Sequence, residues 1–216
     1  MVDVADAPVV AILTRAPGHG GKSRLFAELD VPSDPALLAA LLLDTLDGVA
    51  APGVVRVVAV EPPHACAEVR ALVSSDVEVV PQADGDLGHR MQRTMEDLFE
   101  RGARTVVLVG SDLPDIRPAV VSSALGRLAE DDRLLVLGPS TDGGYYLVAA
   151  ARVPAVFRDV DWGSPRVLSQ TLAHAKRIGM QVALVDPLSD VDRVSDLLQV
   201  TAPRTRGWVA AHIGAE

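Results

Sequence analysis

The segment of residues 9–25 reads VVAILTRAPGHGGKSRL. Its first five residues are all apolar, and such an uninterrupted run is typical of a strand that is buried on both faces of a sheet. The residues that follow, Thr14 to Leu25, contain three glycines and several basic side chains. Since ligands of open α/β sheets bind beyond the carboxyl ends of the strands, this stretch predicts an α/β fold with its ligand at the loop.

Outward from this stretch, short apolar runs alternate with helical patterns along the chain. We predict seven strands, at residues 9–13, 54–60, 77–80, 105–109, 134–137, 145–149 and 182–185. We predict six helices, at residues 34–46, 65–73, 88–101, 119–128, 164–178 and 194–200, with Ser164 and Pro165 as the cap and first turn of the fifth. This alternation predicts a three-layer α/β/α sandwich around a mostly parallel (mixed) central sheet.

Length, charge and cysteine content limit the class of protein. We predict one domain over residues 1–216, with a core at about 8–200 and a tail at 201–216 that Trp208 could dock. A net charge of −9 argues against nucleic-acid and anionic-membrane partners, which need a basic face. The single cysteine cannot form an internal disulfide, and no apolar run approaches the roughly 20 residues of a membrane helix. We therefore expect a cytoplasmic protein without a membrane partner.

The glycine-rich loop is suited to hold a nucleotide polyphosphate. Its glycines allow tight turns whose N–H groups face phosphate oxygens, and its basic side chains add positive charge to an acidic protein. A polar loop at 82–91 opens a predicted helix and could hold the base or the ribose. The predicted nucleotide-binding residues are Thr14, Arg15, Ala16, Gly18, Gly20, Gly21, Lys22, Arg24, Gln82, Gly85 and Asp86. A flexible basic surface turn is the alternative interpretation of the first loop.

Residues 16–23 also resemble a Walker A motif in which alanine replaces the first glycine. That motif would continue from Lys22 into a long helix. Here residues 30–32 read DVP and interrupt any helix after about two turns, because proline disfavours helix in the residue before it. A P-loop NTPase or kinase is therefore the runner-up interpretation.

Carboxylates at two later segments could hold a cation. Asp112 follows the predicted strand 105–109, where a hard cation such as Mg²⁺ would take oxygen ligands beside substrate phosphates. Asp190 and Asp192 are two residues apart, so on an extended segment their side chains share one side and could complete this site. Alternatively Asp112 caps a turn, and Asp192 caps the predicted helix that begins near residue 194.

The loop within residues 138–146, GPSTDGGYY, joins two predicted strands. Gly143 and Gly144 allow close approach of the backbone to a ligand, and Asp142 could accept hydrogen bonds from hydroxyl groups of an acceptor or sugar. A ligand-free Asp-Gly hairpin turn explains the same residues equally well. The five histidines show no metal-ligand spacing.

Taken together, these segments resemble the nucleotide-diphospho-sugar transferase superfamily, which has the GT-A fold. The matching pieces are TRAPGHGGKSRL, LLLDTL, QADGDLGHRM, VGSDLPDI, LGPSTDGGYYLV, DVDWGSPRVLSQT and DVDRVSDL, in the expected order over residues 14–197. Within the superfamily, the chain resembles the small bacterial arsenosugar-type or radical-SAM-associated glycosyltransferases. The KSRL segment is also similar to guanylyltransferases of the phospholactate type.

The resemblance implies roles for particular residues. Arg15, Lys22 and Arg24 would hold phosphates, the 142–144 loop would line the acceptor pocket, and Mg²⁺ (or Mn²⁺) would be held by Asp112 and Asp192. The family's late motif usually continues Thr-Pro-Glu after its second aspartate, whereas residues 193–195 here are RVS. We predict that Arg15, Lys22 and Asp112 are the catalytic residues.

These features predict a metal-dependent transferase that uses a nucleotide donor and a small-molecule acceptor. Nucleotidyl transfer from a nucleoside triphosphate to a phosphorylated small molecule is favoured, because the basic loop supplies more positive charge than a diphosphate needs. The alternatives are glycosyl transfer from a nucleotide-sugar donor and a nucleotide-binding module without catalysis. The protein could also assemble as a homodimer.

Overall fold

The computed structural model describes residues 2–213, and their strands form one seven-stranded sheet in the order β3-β2-β1-β4-β6-β5-β7. The strands are β1 Pro8–Arg15, β2 Val55–Glu61, β3 Glu78–Pro81, β4 Thr105–Gly110, β5 Leu135–Pro139, β6 Tyr145–Ala150 and β7 Val182–Leu184. Strand β6 runs antiparallel to both of its neighbours, and the other pairs are parallel. The predicted mixed, mostly parallel sheet is confirmed, with small shifts at the strand ends.

The helices are α1 Ser23–Leu29, α2 Pro35–Gly48, α3 Cys66–Leu72, α4 Leu87–Glu100, α5 Pro118–Glu130, α6 Val167–Arg177, α7 Val194–Leu197 and α8 Pro203–His212. The predicted start of α6 at Ser164 is wrong. The Ser164 hydroxyl accepts the Arg166 N–H and forms a turn, so the helix begins only at Val167. No helix within residues 2–213 is long and apolar enough to cross a membrane.

Alternating side chains of the first strand build the two cores of the sandwich. Val10 and Ile12 pack against α2, α3 and α5 on one face of the sheet, whereas Val9 and Ala11 pack against α4 and α6 on the other. All four side chains are fully buried. The uninterrupted apolar run therefore reflects burial on both faces, as the three-layer prediction requires.

A third apolar cluster lies beyond the end of the sheet. Leu25 and Phe26 of α1 pack with Leu41 of α2, with Val191, and with Leu197 of α7. The same cluster includes Trp208 of α8. It therefore brings the end of the glycine-rich loop next to the segment around residue 191, which is far away in sequence.

The C-terminal helix α8 is anchored on α2 through buried polar contacts. The Trp208 indole N–H donates to Asp34 at 2.6 Å, so the predicted docking of the tail by Trp208 is confirmed. The Asp44 carboxylate is almost fully buried and accepts both the backbone N–H and the hydroxyl of Thr205 at 2.8 Å. Arg204 also donates to this carboxylate, at 3.1 Å.

We expect Asp44→Ala to lower the free energy of unfolding by about 2–4 kcal/mol, because buried donors of Thr205 would lose their acceptor. The matched control is Asp47→Ala, which removes a 60% exposed carboxylate that pairs with the same Arg204 and should cost less than about 1 kcal/mol. Urea unfolding of both variants measures the difference. Equal losses would contradict the anchoring role of Asp44.

Candidate active site

Three loops lie at one edge of the sheet because the strands before them run in the same direction. Strands β1 and β4 are parallel neighbours, with Leu13 paired to Gly110 near their carboxyl ends. Strand β5 runs parallel to β4, since both are antiparallel to β6. The glycine-rich loop, the Asp112 loop and the 140–144 loop therefore open on this edge, as expected for a ligand site.

The glycine-rich loop ends in a left-handed stretch of backbone. Gly20, Gly21 and Lys22 have φ angles of 76°, 138° and 49°. Glycine adopts these angles freely, whereas a lysine in this region is uncommon and is held there by its surroundings. The Lys22 carbonyl then accepts the Phe26 N–H in the first turn of α1. This conformation turns the chain sharply between the loop and the helix.

The Lys22 amino group lies among three carboxylates. Its Nζ contacts Asp112 Oδ2 and is 3.6 Å from Asp190 Oδ2 and 3.9 Å from Asp192 Oδ1. Only 13% of the lysine side chain is exposed. Burial alone would lower the pKa of Lys22, but the Asp112, Asp190 and Asp192 carboxylates raise it above the ordinary value, so the amino group is positively charged.

The Asp190 carboxylate is the second acid beside the Lys22 amino group, with 31% of its side chain exposed. Burial raises the pKa of Asp190, and the negative charge of Asp112 raises it further, while Lys22 acts in the opposite direction. Asp190 is also closer to Lys22 than Asp192 is, although only Asp192 is in the predicted metal pair. In the sequence, Asp190 is indicated by its spacing of two residues from Asp192, which places both side chains on the same side of an extended segment.

Three hydrogen bonds hold the Asp112 loop in place. The Val191 N–H donates to the Asp112 carbonyl at 3.0 Å and ties the Asp190–Asp192 segment to the loop. On the other side, the fully buried Thr45 hydroxyl accepts the Leu113 N–H at 3.0 Å and donates to the Ser111 carbonyl at 3.2 Å. Thr45 thus bridges both neighbours of Asp112, a role that sequence reasoning missed.

The two predicted phosphate-binding arginines have different partners. Arg24 donates to Asp192 Oδ2 at 3.1 Å, so it belongs to the same charged centre as Lys22. Arg15 instead donates to Glu61 at the end of β2, at 2.9 Å. Both side chains are more than half exposed, which leaves donors available to a ligand. Asp192 does not cap α7, because Glu28 accepts the Val194 N–H that opens this helix, and Asp196 accepts the N–H groups of Asp192 and Arg193 just before it.

Several other predicted nucleotide-binding residues have structural contacts. The buried Gln82 amide donates to the Thr14 carbonyl at 3.0 Å and thereby fixes the start of the glycine-rich loop, which continues through the buried Ala16. Asp86 caps α4 by accepting the His89 N–H at 2.8 Å. Gly85 has a φ of 112° in the preceding turn. These contacts give the loop 82–86 a supporting role whether or not a nucleotide touches it.

One backbone donor of the glycine-rich loop already binds an anion of the protein itself. The Gly18 N–H donates to the Glu68 carboxylate at 2.6 Å, and His19 Nε2 lies 3.8 Å from the same group. A loop N–H that donates to a carboxylate oxygen can also donate to a phosphate oxygen. The loop is therefore chemically competent to bind an anion, as its glycine content predicts.

The predicted acceptor loop forms a hairpin turn beside a cavity. Asp142 accepts the Gly144 N–H at 2.9 Å, so the turn interpretation of its side chain holds in the structure. A Cβ at Gly143 would lie 2.2 Å from the Pro165 carbonyl oxygen, so only glycine fits there. The adjoining cavity has a volume of about 360 Å³ and is lined by Asp142 and Gly144 together with Asp112 and Asp190. The charged centre and this cavity thus share two carboxylates.

The arrangement combines the elements that phosphate chemistry needs. The loop offers backbone N–H groups, Lys22 and Arg24 offer positive charge, and three carboxylates offer oxygen ligands at one point. Positive charge and preorganised donors stabilise the charge that develops on a phosphoryl group during transfer.

Comparison with known proteins agrees with this chemistry. A 3-phospho-D-glycerate guanylyltransferase of Phenylobacterium zucineum (strain HLK1) is 33% identical over an alignment of 202 positions that covers 88% of this chain and 88% of the relative. A protein of Desulfovibrio desulfuricans G20, provisionally described as a nucleotide-diphospho-sugar transferase, has a solved structure with a TM-score of 0.80 and 25% identity. That match covers 96% of this chain and 97% of the other.

A CMP:2-keto-3-deoxy-manno-octonic acid synthetase complexed with CTP shares the fold, with a TM-score of 0.61, 17% identity and coverage of 95% and 99%. The predicted superfamily, its fold and the class of nucleotide-dependent transferases are thereby confirmed. Residues 45–164, more than half of the chain, match the family described as "Uncharacterized protein conserved in bacteria (DUF2064)", and the chain belongs to that family.

Proposed function

We propose that the protein transfers a nucleotidyl group from a nucleoside triphosphate to the phosphate of a small molecule, with release of pyrophosphate. The observation that supports this most directly is the charged centre at the end of the glycine-rich loop, where Lys22 lies among Asp112, Asp190 and Asp192. Since the relative in Phenylobacterium is named a guanylyltransferase, GTP is the first donor to test.

The reaction we propose needs no general base. An oxygen of the acceptor phosphate attacks the α-phosphorus of the donor, the new P–O bond forms, and the bond to the β-phosphate breaks with its electron pair leaving on pyrophosphate. A phosphomonoester has a second pKa of about 6, so its attacking oxygen is already deprotonated at neutral pH. In this scheme Lys22 and Arg24 bind the phosphates, and the loop N–H groups orient them.

The carboxylates fit a magnesium ion by their chemistry. Asp112, Asp190 and Asp192 supply the hard oxygen ligands that Mg²⁺ prefers, and Asp112 and Asp192 remain our predicted pair. Within residues 2–213, no three His, Cys, Asp or Glu side chains are grouped as in a formed metal site, and the Lys22 amino group takes the space between the acids. When bound, Mg²⁺ would neutralise phosphate charge. Lys22 would then be free to bind the donor phosphates.

Glycosyl transfer is the second candidate, because the Desulfovibrio structure described as a nucleotide-diphospho-sugar transferase has a TM-score of 0.80. The leaving group distinguishes the two reactions. Nucleotidyl transfer releases pyrophosphate from a triphosphate, whereas glycosyl transfer releases a nucleoside diphosphate from a nucleotide sugar.

We expect pyrophosphate to form when the protein is incubated with Mg²⁺, GTP and a pool of phosphorylated metabolites, and turnover to fall about 10²- to 10³-fold in Lys22→Ala, because a phosphate-binding charge is lost. The control is Lys176→Ala, since Lys176 is the only other lysine and is exposed. A coupled pyrophosphate assay gives both rates. Absence of pyrophosphate with every triphosphate, together with nucleoside diphosphate release from a nucleotide sugar, would replace this proposal by glycosyl transfer.

We expect Thr45→Val to reduce turnover by about tenfold to a hundredfold, because the loop that carries Asp112 would lose both hydrogen bonds of the Thr45 hydroxyl. Thr45→Ser keeps the hydroxyl and should retain most of the activity. The comparison is made on kcat at a temperature where circular dichroism finds both variants folded. Full kcat in Thr45→Val would show that Thr45 does not position Asp112.

A further inference from the structure

The cavity beside the charged centre has a chemical character that the proposed function does not by itself explain. It lies on the acceptor side, because Asp112 and Asp190 line it while no residue of the glycine-rich loop 14–25 does. Its volume of about 360 Å³ lies within the range of small-molecule pockets. A group bound there would therefore reach the charged centre without displacing the donor loop.

The walls of this cavity are mostly apolar. Leu87 and Met91 of α4 form one side, and Tyr145 of β6 and Trp162 form another. The two aromatic rings meet edge to face, with ring centroids 6.2 Å apart. Such a surface binds uncharged apolar groups by removing them from water.

The positions of these walls are fixed by close packing. A Cβ at Gly88 would lie 2.6 Å from the Trp162 indole nitrogen, so α4 packs directly on this ring. On the opposite side, the Gly143 carbonyl accepts the Leu168 N–H at 3.0 Å and holds the start of α6 against the hairpin turn. The apolar cavity is thus part of the packed fold.

The charged side chains on the cavity surface are all carboxylates. Its carboxylates are Asp112, Asp142 and Asp190, and no Lys, Arg or His of residues 2–213 lines it. A second anionic group of an acceptor, such as the carboxylate of phosphoglycerate, would lie here without a cationic partner. Repulsion between these like charges makes that position unfavourable.

We propose that the acceptor is a phosphomonoester whose non-reacting part is uncharged and largely apolar. This inference rests on the proposed nucleotidyl transfer: the acceptor phosphate would lie at the charged centre, and the apolar part would occupy the cavity against Met91, Trp162 and Tyr145. The substrate class therefore differs from that in the name of the Phenylobacterium relative, whose phosphoglycerate carries a carboxylate.

The test compares acceptors that share a phosphate and differ in the rest of the molecule. With GTP and Mg²⁺, we expect kcat/KM for pyrophosphate release to rise about threefold to fourfold per methylene from ethyl to hexyl phosphate, and hexyl phosphate to exceed 3-phosphoglycerate at least tenfold. A higher kcat/KM for 3-phosphoglycerate than for every alkyl phosphate would overturn the inference while leaving nucleotidyl transfer intact.

A charge variant tests the cavity itself. Leu87 is 38% exposed at the rim, so Leu87→Arg adds a cation there with little effect on folding. It should lower the ratio of kcat/KM for hexyl phosphate to kcat/KM for 3-phosphoglycerate at least tenfold. The matched control is Leu72→Arg, a leucine of 39% exposure outside the cavity, which should leave the ratio unchanged. An unchanged ratio in Leu87→Arg would contradict binding of the acceptor in the cavity.

If no triphosphate yields pyrophosphate, the proposed function fails and the cavity is tested by binding alone. Calorimetric titration with hexyl phosphate and with 3-phosphoglycerate should then give tighter binding of the alkyl ester, weakened in Leu87→Arg and unchanged in Leu72→Arg. Equal or tighter binding of 3-phosphoglycerate would overturn the inference on this route as well.

Discussion

The contact between the Lys22 amino group and the Asp112 carboxylate joins the parts of the chain on which the candidate site depends. Lys22 ends the loop after β1, Asp112 follows β4, and the segment with Asp190 and Asp192 comes from beyond β7. Three segments that are distant in sequence thus meet at one buried cation. Because isolated buried charges are costly, each of these groups requires the others to stay in place.

Apolar packing beside the charged centre holds the segments that carry Lys22 and the later aspartates together. The cluster of Leu25, Phe26, Leu41, Val191 and Leu197 holds α1 against the segment that carries the two later acids. The Val191 N–H bond to the Asp112 carbonyl then sets the register between them. The ion cluster and the apolar cluster therefore support each other.

The sheet could be predicted because each strand is a short apolar run buried on one or both faces, and Lys22 and Asp112 could be identified because each follows such a strand. Their mutual contact could not, since it depends on how α1 packs on a segment more than 150 residues away. Thr45 could not be identified from the sequence either, because a threonine within the apolar LLLDTL segment is typical of an ordinary buried position. Only the folded structure brings the Asp112 loop to the Thr45 hydroxyl. For Asp142 the sequence left ligand binding and a local turn open, whereas Asp86 was predicted only as a nucleotide-binding residue. The structure gives both side chains a local backbone partner.

The Lys22 amino group takes the position of a cation among the three acids, and the effect of Mg²⁺ on Lys22→Met measures whether it does so. Removing the amino group leaves three carboxylates without their shared partner, so Mg²⁺ should raise the Tm of this variant clearly more than that of the parent or of Lys176→Met. At a concentration of about 100 times the Kd, the added stability would be about 2.7 kcal/mol. Equal shifts of Tm in all three proteins would contradict the claim.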